Sequence, residues 1–171
     1  MNIKAAKSEI KIQNSKVYSS IDTKGFDLTF TNIVGNSNIF LIGGDIFIEK
    51  HEGDLSIFTK GGNLSAKEIN GEFSNFKSYG DLILIEDAQT SMFISNPLGN
   101  IDLKNIRGSL KGETDNGNIS IKNYYGNLTI RTNSGDIFLD EIIGSTDISS
   151  NLGNVKSKLN YESSFRNSYH S

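Results

Sequence analysis

From residue 44 onward the chain alternates apolar and polar residues in short runs broken at a fixed interval. Ile46 and Ile48 flank Phe47, Leu55 and Ile57 flank Ser56, Ile119 and Ile121 flank Ser120, Leu128 and Ile130 flank Thr129, and Ile137 and Leu139 flank Phe138. Alternation with a period of two marks a short strand with one buried face. The runs recur every nine residues, so each nonapeptide predicts a turn followed by a strand of about four residues. No stretch carries the 3.6-residue period of a helix.

Glycine marks the same interval. Gly35, Gly44, Gly53, Gly62, Gly71 and Gly80 lie on one nine-residue series, and Gly99, Gly108, Gly117, Gly126, Gly135, Gly144 and Gly153 on the same series shifted by one residue. These are thirteen of 17 glycines, where chance would place about a ninth, so the repeat is real. The shift places one inserted residue near Ala88 and Gln89, which leaves Met92 and Ile94 inward and Phe93 outward. With glycine as position 1, position 2 reads Asp45, Asp54, Asn63, Glu72, Asp81, Asn100, Ser109, Asn118, Asn127, Asp136, Ser145 and Asn154, which is mostly turn chemistry and predicts hydrogen-bonded Asx turns. Positions 3 and 5 point inward, a rule that also assigns Leu82 and Leu84 to the core.

Position 8 separates two kinds of repeat. It is Ile33, Ile69, Ile106, Tyr124 and Ile142 in every second nonapeptide, and Lys60, Ser78, Asp115, Asn133 and Asn151 in those between. The unit is therefore a pair of nonapeptides, with two unlike strands and two unlike corners. The register runs back through Leu28 with Phe30 and Ile10 with Ile12. The expected architecture is all-β: a single β-solenoid of about eight coils over residues 8–159, with 160–171 as a C-terminal tail or cap. At about 4.8 Å per coil the rod is roughly 40 Å long. No single repeat buries its own face, so stacking supplies the core.

Composition narrows the functional classes. Seventeen Lys and Arg against 20 Asp and Glu give a net charge of -3, and no basic run gathers the positive charge into a stripe for phosphates, so nucleic acid is not an expected partner. The chain has no Cys, which removes disulfides, thiolate metal sites and a Cys nucleophile. No apolar stretch reaches membrane-spanning length, so direct membrane insertion is not expected. The opening "MNIKAAKSEIKIQN" carries no apolar signal core. A native Met1 implies a cytoplasmic protein, and an excised domain implies an envelope-associated or extracytoplasmic one. Seventeen Gly against one Pro argues for corners at positive φ instead of a disordered linker.

The "GDI", "GNI", "GNL" and "GDL" units in "GGDIFIEKHEGDLSIFTKGGNLSA" and "YGNLTIRTNSGDIFLDEIIGS" resemble the bacterial adhesin-type domain of unknown function also described as the toastrack domain. The resemblance spans about residues 25–159. It implies an interaction or surface module, often attached to envelope proteins, and brings no catalytic residues with it. Bactofilins, polymer-forming short β-solenoids, are the nearest other class, though their repeats are richer in paired V-x-G units.

Candidate chemistry is sparse. His51 occupies the corner position held by Ile33 and Ile69 one coil away, which predicts a partly covered corner residue, and His170 is the only other histidine. A carbohydrate-active β-helix places its acids on long loops beside a groove, and the nonapeptide here is almost unbroken. Calcium-binding nonapeptides need several glycines and a differently placed Asp, so no metal or other cofactor is expected. Phe40, Phe58 and Phe76 recur once per coil and predict an aromatic column at a buried edge. At the outward position 4, Phe47, Ile83, Phe93 and Phe138 replace polar residues and form the candidate interaction surface. The expected function is a non-enzymatic structural or interaction module, adhesin-like or an envelope-associated scaffold. Its partner is a protein or a second copy of the chain, not a small-molecule substrate. The alternatives are a self-assembling filament subunit of bactofilin type and, more distantly, a carbohydrate-active β-helix.

Overall fold

The computed structural model describes residues 2–5, 9–16, 18–159 and 164–167, and every regular element among them is a β-strand. Each coil has two legs. The first legs are β2 (Ile10–Lys16), β4 (Leu28–Val34), β6 (Ile46–Glu52), β10 (Asn100–Arg107), β12 (Ile119–Tyr125), β14 (Ile137–Ile143) and β16 (Val155–Leu159). The second legs are β1 (Asn2–Ala5), β3 (Ser19–Lys24), β5 (Ser37–Ile42), β7 (Leu55–Lys60), β11 (Leu110–Thr114), β13 (Leu128–Thr132), β15 (Ser145–Ser150) and β17 (Ser164–Asn167). Two long strands, β8 (Leu64–Ser78) and β9 (Leu82–Ser95), run through both legs of their coils. Every pairing is parallel and joins a leg to the same leg one coil away, as in Ile101 with Ile119 and Ile119 with Ile137. The protein is a β-solenoid of about eight turns.

Six inward columns fill the interior. First legs contribute positions 3, 5 and 8, and second legs contribute positions 3, 5 and 7. Ile46, Ile48, Ile119, Ile121, Ile137 and Leu139 are all buried, as the alternation requires. Position 8 can follow position 5 inward only if the strand breaks its alternation between them. One residue does this in each first leg from β2 to β14 by taking a left-handed conformation: Asn14, Asn32, Lys50, Glu68, Asp87, Asn105, Asn123 and Glu141, with φ between 51° and 58°. The conformation costs a non-glycine residue about 1–2 kcal/mol, and asparagine offsets part of it by stacking amides. Asn32 donates to Asn14 at 2.7 Å, Asn105 to Asp87 at 2.7 Å and Asn123 to Asn105 at 2.9 Å.

The glycines serve the corners in two ways. Gly126 has φ +144°, and a Cβ there would lie 2.0 Å from the Gly108 carbonyl oxygen. Gly135 has no positive φ, yet its Cβ would lie 1.8 Å from the Gly117 oxygen. In the second corner, which leads into a first leg, close approach between coils is what demands glycine at Gly99, Gly117, Gly135 and Gly153, while Gly44 and Gly62 also have positive φ. The buried hydroxyls of the second legs support that corner, because Gly117 N–H donates to Thr114 Oγ1 at 3.1 Å, Gly135 to Thr132 Oγ1 at 3.1 Å and Gly153 to Ser150 Oγ at 3.0 Å.

The Asp and Asn side chains that follow the corner glycines do not close Asx turns within their own corners. Their Oδ1 atoms accept from the backbone N–H one coil on: Asp27 from Asp45, Asp45 from Asn63, Asn100 from Asn118, Asn118 from Asp136 and Asp136 from Asn154, at 2.7–2.8 Å. Corner amides point along the rod axis, so the acceptor has to come from the neighbouring coil.

The extra residue lies at Glu72 and Phe73, not near Ala88 and Gln89. Asn70 pairs with Gln89 whereas Phe73 pairs with Ser91, so the sequence offset within a pair falls by one between them, where the ladder is irregular. Residues 73–88 are consequently one place out of the expected register. Ile83 and Ile85 are fully buried, while Leu82 and Leu84 are half-buried on the outside. Gly80 hides the insertion by coming one residue early in its corner. Its N–H reaches Ser78 Oγ only two residues back, at 2.9 Å, where the other corners span three. Beyond residue 89 the expected phase holds, with Met92 and Ile94 buried and Phe93 outward.

Candidate functional site

The four residues expected to form a contact surface do not meet. Ile83 is inside the core, a consequence of the misplaced insertion, and Leu84 takes the outward place. Phe47 and Phe138 share one column on the first-leg face but are separated by Ser65, Leu84, Asp102 and Ser120, roughly 24 Å along the rod. Phe93 is on the other face, with the Lys111 ammonium 5.5 Å from its ring. The Lys156 ammonium sits 5.5 Å from the Phe138 ring.

His51 is fully buried, beyond the partial cover expected, and stacks in register between Ile33 and Ile69. Its Nε2 lies 3.0 Å from Ser37 Oγ and its ring 6.2 Å from that of Phe30. Burial lowers its pKa below the ordinary 6.5, only partly offset by the backbone of Gly53 and the Asp54 carboxylate, which favours the neutral imidazole. Tyr124 occupies the same column with its hydroxyl within reach of the Gly108 and Asn127 carbonyls, and burial raises its pKa. Both groups belong to the core. On the first-leg side a shallow trough of about 520 Å³ runs past Lys50, Glu68, Asp87 and Arg107. Two of its amides are tied into the bend ladder, Asn32 to Asn14 and Asn105 to Asp87 and Asn123.

A different surface gathers on the second-leg face, in the first half of the rod. The outward residues of β3, β5, β7 and the second half of β8 stand in two adjacent columns. One is Ser20, Asn38, Ser56 and Asn75, in successive register. The other begins Asp22, Phe40, Phe58 and Lys77. Phe40 and Phe58 stack with centroids 5.2 Å apart and planes 5° from parallel, Tyr79 packs against Phe58 at 5.9 Å, and the Lys77 ammonium lies 5.6 Å from the Tyr79 ring. Phe76 is fully buried as expected but does not continue this column, because the insertion moves it to an inward position opposite Ile57. Phe40 and Phe58 are therefore outward-facing residues and not a buried edge.

The insertion also builds one wall of the site. Asp54 Oδ1 accepts from both Glu72 N–H at 3.2 Å and Phe73 N–H at 3.0 Å, so the corner holds two residues where others hold one. Phe73, which regular repeats would bury, is thrown outward and left 50% exposed. Tyr18 stands on the same corner line, 77% exposed. Three coil steps, about 14 Å along the rod, separate the two positions. Between them runs a trough of about 430 Å³ floored by Ser20, Asn38, Ser56 and Asn75. Bulges and insertions in a regular repeat commonly re-aim side chains at a working surface. Tyr18, Phe73 and Tyr79 have no repeat-based signal in the sequence, whereas the recurrence of Phe40 and Phe58 does.

The chain matches no protein-family model, no curated protein and no solved structure. The functional reading therefore rests on the geometry of this face.

Proposed function

We propose that the chain is a non-enzymatic interaction module, adhesin-like or scaffold-forming, that engages its partner through the aromatic second-leg face. The single observation behind this reading is Phe73, displaced outward by an irregular corner on the same face as the Phe40–Phe58 stack. The solenoid itself does not need aromatics at these outward positions. Exposed aromatic side chains grouped on one face are a feature of contact surfaces. Glycoside hydrolysis generally needs two carboxyl groups facing one bond, and among the described residues lining the trough Asp54 is the only carboxylate, with Oδ1 bound to two backbone amides.

The test is the double variant Phe40→Ser/Phe73→Ser. It keeps the wild-type melting curve and loses association, measured by light scattering for self-association and by cross-linked capture from source cells for a foreign partner. Unchanged association in both assays, or a clear loss of folding stability, contradicts the reading.

End-to-end assembly is a second reading, favoured by the terminal strands. Among the described residues β1 and β2 pair only toward the rod centre, with β3 and β4, and β16 and β17 only with β14 and β15. Such unpaired edges among the described residues are the kind of surface through which a second copy would add its own coil. Growth of filaments with concentration, seen by electron microscopy, supports it; a monomer at all concentrations removes it.

A further inference from the structure

We propose that the trough between Tyr18 and Phe73 binds a segment of neutral glycan. This rests on the second-leg face being the contact surface and narrows that surface to a ligand class. Charge is the first discriminator. Among the described residues lining the trough there is no Lys, Arg or His and one carboxylate, Asp54. An anionic ligand would meet no compensating charge. A cationic one would find only a carboxylate whose Oδ1 already holds the Glu72 and Phe73 amides.

Backbone pairing is the second discriminator. An extended peptide binds a sheet by adding a strand at a free edge. The strands under the trough have no free edge there: β3 is paired with β1 and β5, β5 with β3 and β7, and β7 with β5 and β8. An apolar peptide anchor needs a closed pocket, and this trough lies open along the face of the sheet.

The remaining chemistry fits a sugar chain. Ser20, Asn38, Ser56 and Asn75 present groups that both donate and accept hydrogen bonds, one per coil at about 4.8 Å. They match a ligand whose hydroxyls also do both. The rings of Phe73 and Tyr18 offer electron-rich faces to the C–H faces of pyranose rings. The trough's 430 Å³ falls in the size range of small-ligand sites.

The experiment is an NMR titration of the ¹⁵N-labelled full chain with cello-, laminari-, manno-, xylo- and chito-hexaose, with hexagalacturonate as the anionic control. At least one neutral sugar should give saturable shifts centred on Ser20, Asn38, Ser56 and Asn75, with none from hexagalacturonate. Phe73→Ala should weaken that binding about threefold to tenfold with the melting curve unchanged, and Phe73→Tyr should restore it. No response to any neutral sugar at about 10 mM, shifts centred elsewhere, or an equal response to hexagalacturonate overturns the assignment. If the sugars fail while Phe40→Ser/Phe73→Ser still abolishes association, the glycan is wrong and the contact face stands. If association is also untouched, both fall.

Discussion

Replacing Gly135 with Ala adds one methyl group and breaks a coil junction. Gly135 is not at positive φ, so backbone strain does not enter. The new Cβ would lie 1.8 Å from the Gly117 carbonyl oxygen, and real contacts stay beyond 3.0 Å, so the coils must part locally to make up the shortfall. Two bonds cross this junction at nearly ideal length, Ser134 N–H to Asp115 O at 2.9 Å and Asp136 N–H to Asn118 Oδ1 at 2.8 Å. Parting the backbone that far takes both beyond hydrogen-bonding reach. At about 0.5–1.5 kcal/mol each, their loss and the residual clash amount to roughly 2–4 kcal/mol. The control is Gly112→Ala on β11, where the added methyl meets only Ile130 Cδ1 at 2.8 Å, a side-chain tip that can rotate. There the smaller entropy of the unfolded chain offsets the contact, and the net change is within about 1 kcal/mol. Urea unfolding followed by far-UV circular dichroism compares the two. Equal midpoints for Gly135→Ala and wild type would refute the idea that the second-corner glycines are required by coil-to-coil approach.

Ile83→Asp should collapse the middle of the rod by placing a carboxylate in an apolar column, while Leu84→Asp should shift the melting temperature little; the opposite ranking would overturn the corrected register. His51 has a folded pKa below its unfolded 6.5, so its unfolded form binds the extra proton and stability is full above 6.5 and lost as pH falls below it, by at most about 1.4 kcal/mol per pH unit. His51→Ile, matching Ile33 and Ile69 in its column, should flatten that dependence in urea titrations between pH 8 and 5, and an unchanged slope would exclude His51 as its source. Lys50→Asn should stabilise the rod by up to about 1 kcal/mol, because asparagine tolerates the left-handed bend and can extend the Asn14–Asn32 amide ladder; a lower melting temperature would count against that account of the bend.

The fold was legible because its determinants are periodic. Alternation at positions 3 and 5 reports burial directly, and the change at position 8 between Ile33-type and Lys60-type residues is the trace of the left-handed bend in the first leg. The bend residue itself escaped notice, since Lys50, Glu68 and Glu141 have no turn chemistry and the backbone conformation is imposed by the buried neighbours. The insertion was detected but misplaced, because Gly80 arrives early and keeps the nine-residue count intact through residues 73–88. That error placed Ile83 on the surface and put Phe76 in one column with Phe40 and Phe58, which face outward. The candidate site depends on the very same irregularity. Phe73 faces outward only because Asp54 holds two amides at one corner, and the contact between Phe58 and Tyr79 joins residues from adjacent coils. Neither follows from a repeat rule.

The claim on which the functional account depends is that the partner meets the second-leg face in the first half of the rod. Photo-cross-linking in source cells tests it directly, with p-benzoylphenylalanine placed either at Asn38, on the trough floor, or at Ser120, between Asp102 and Phe138 on the first-leg face. The account predicts discrete adducts from the Asn38 position and none from Ser120. Adducts from Ser120 alone, or equally from both positions, would contradict it.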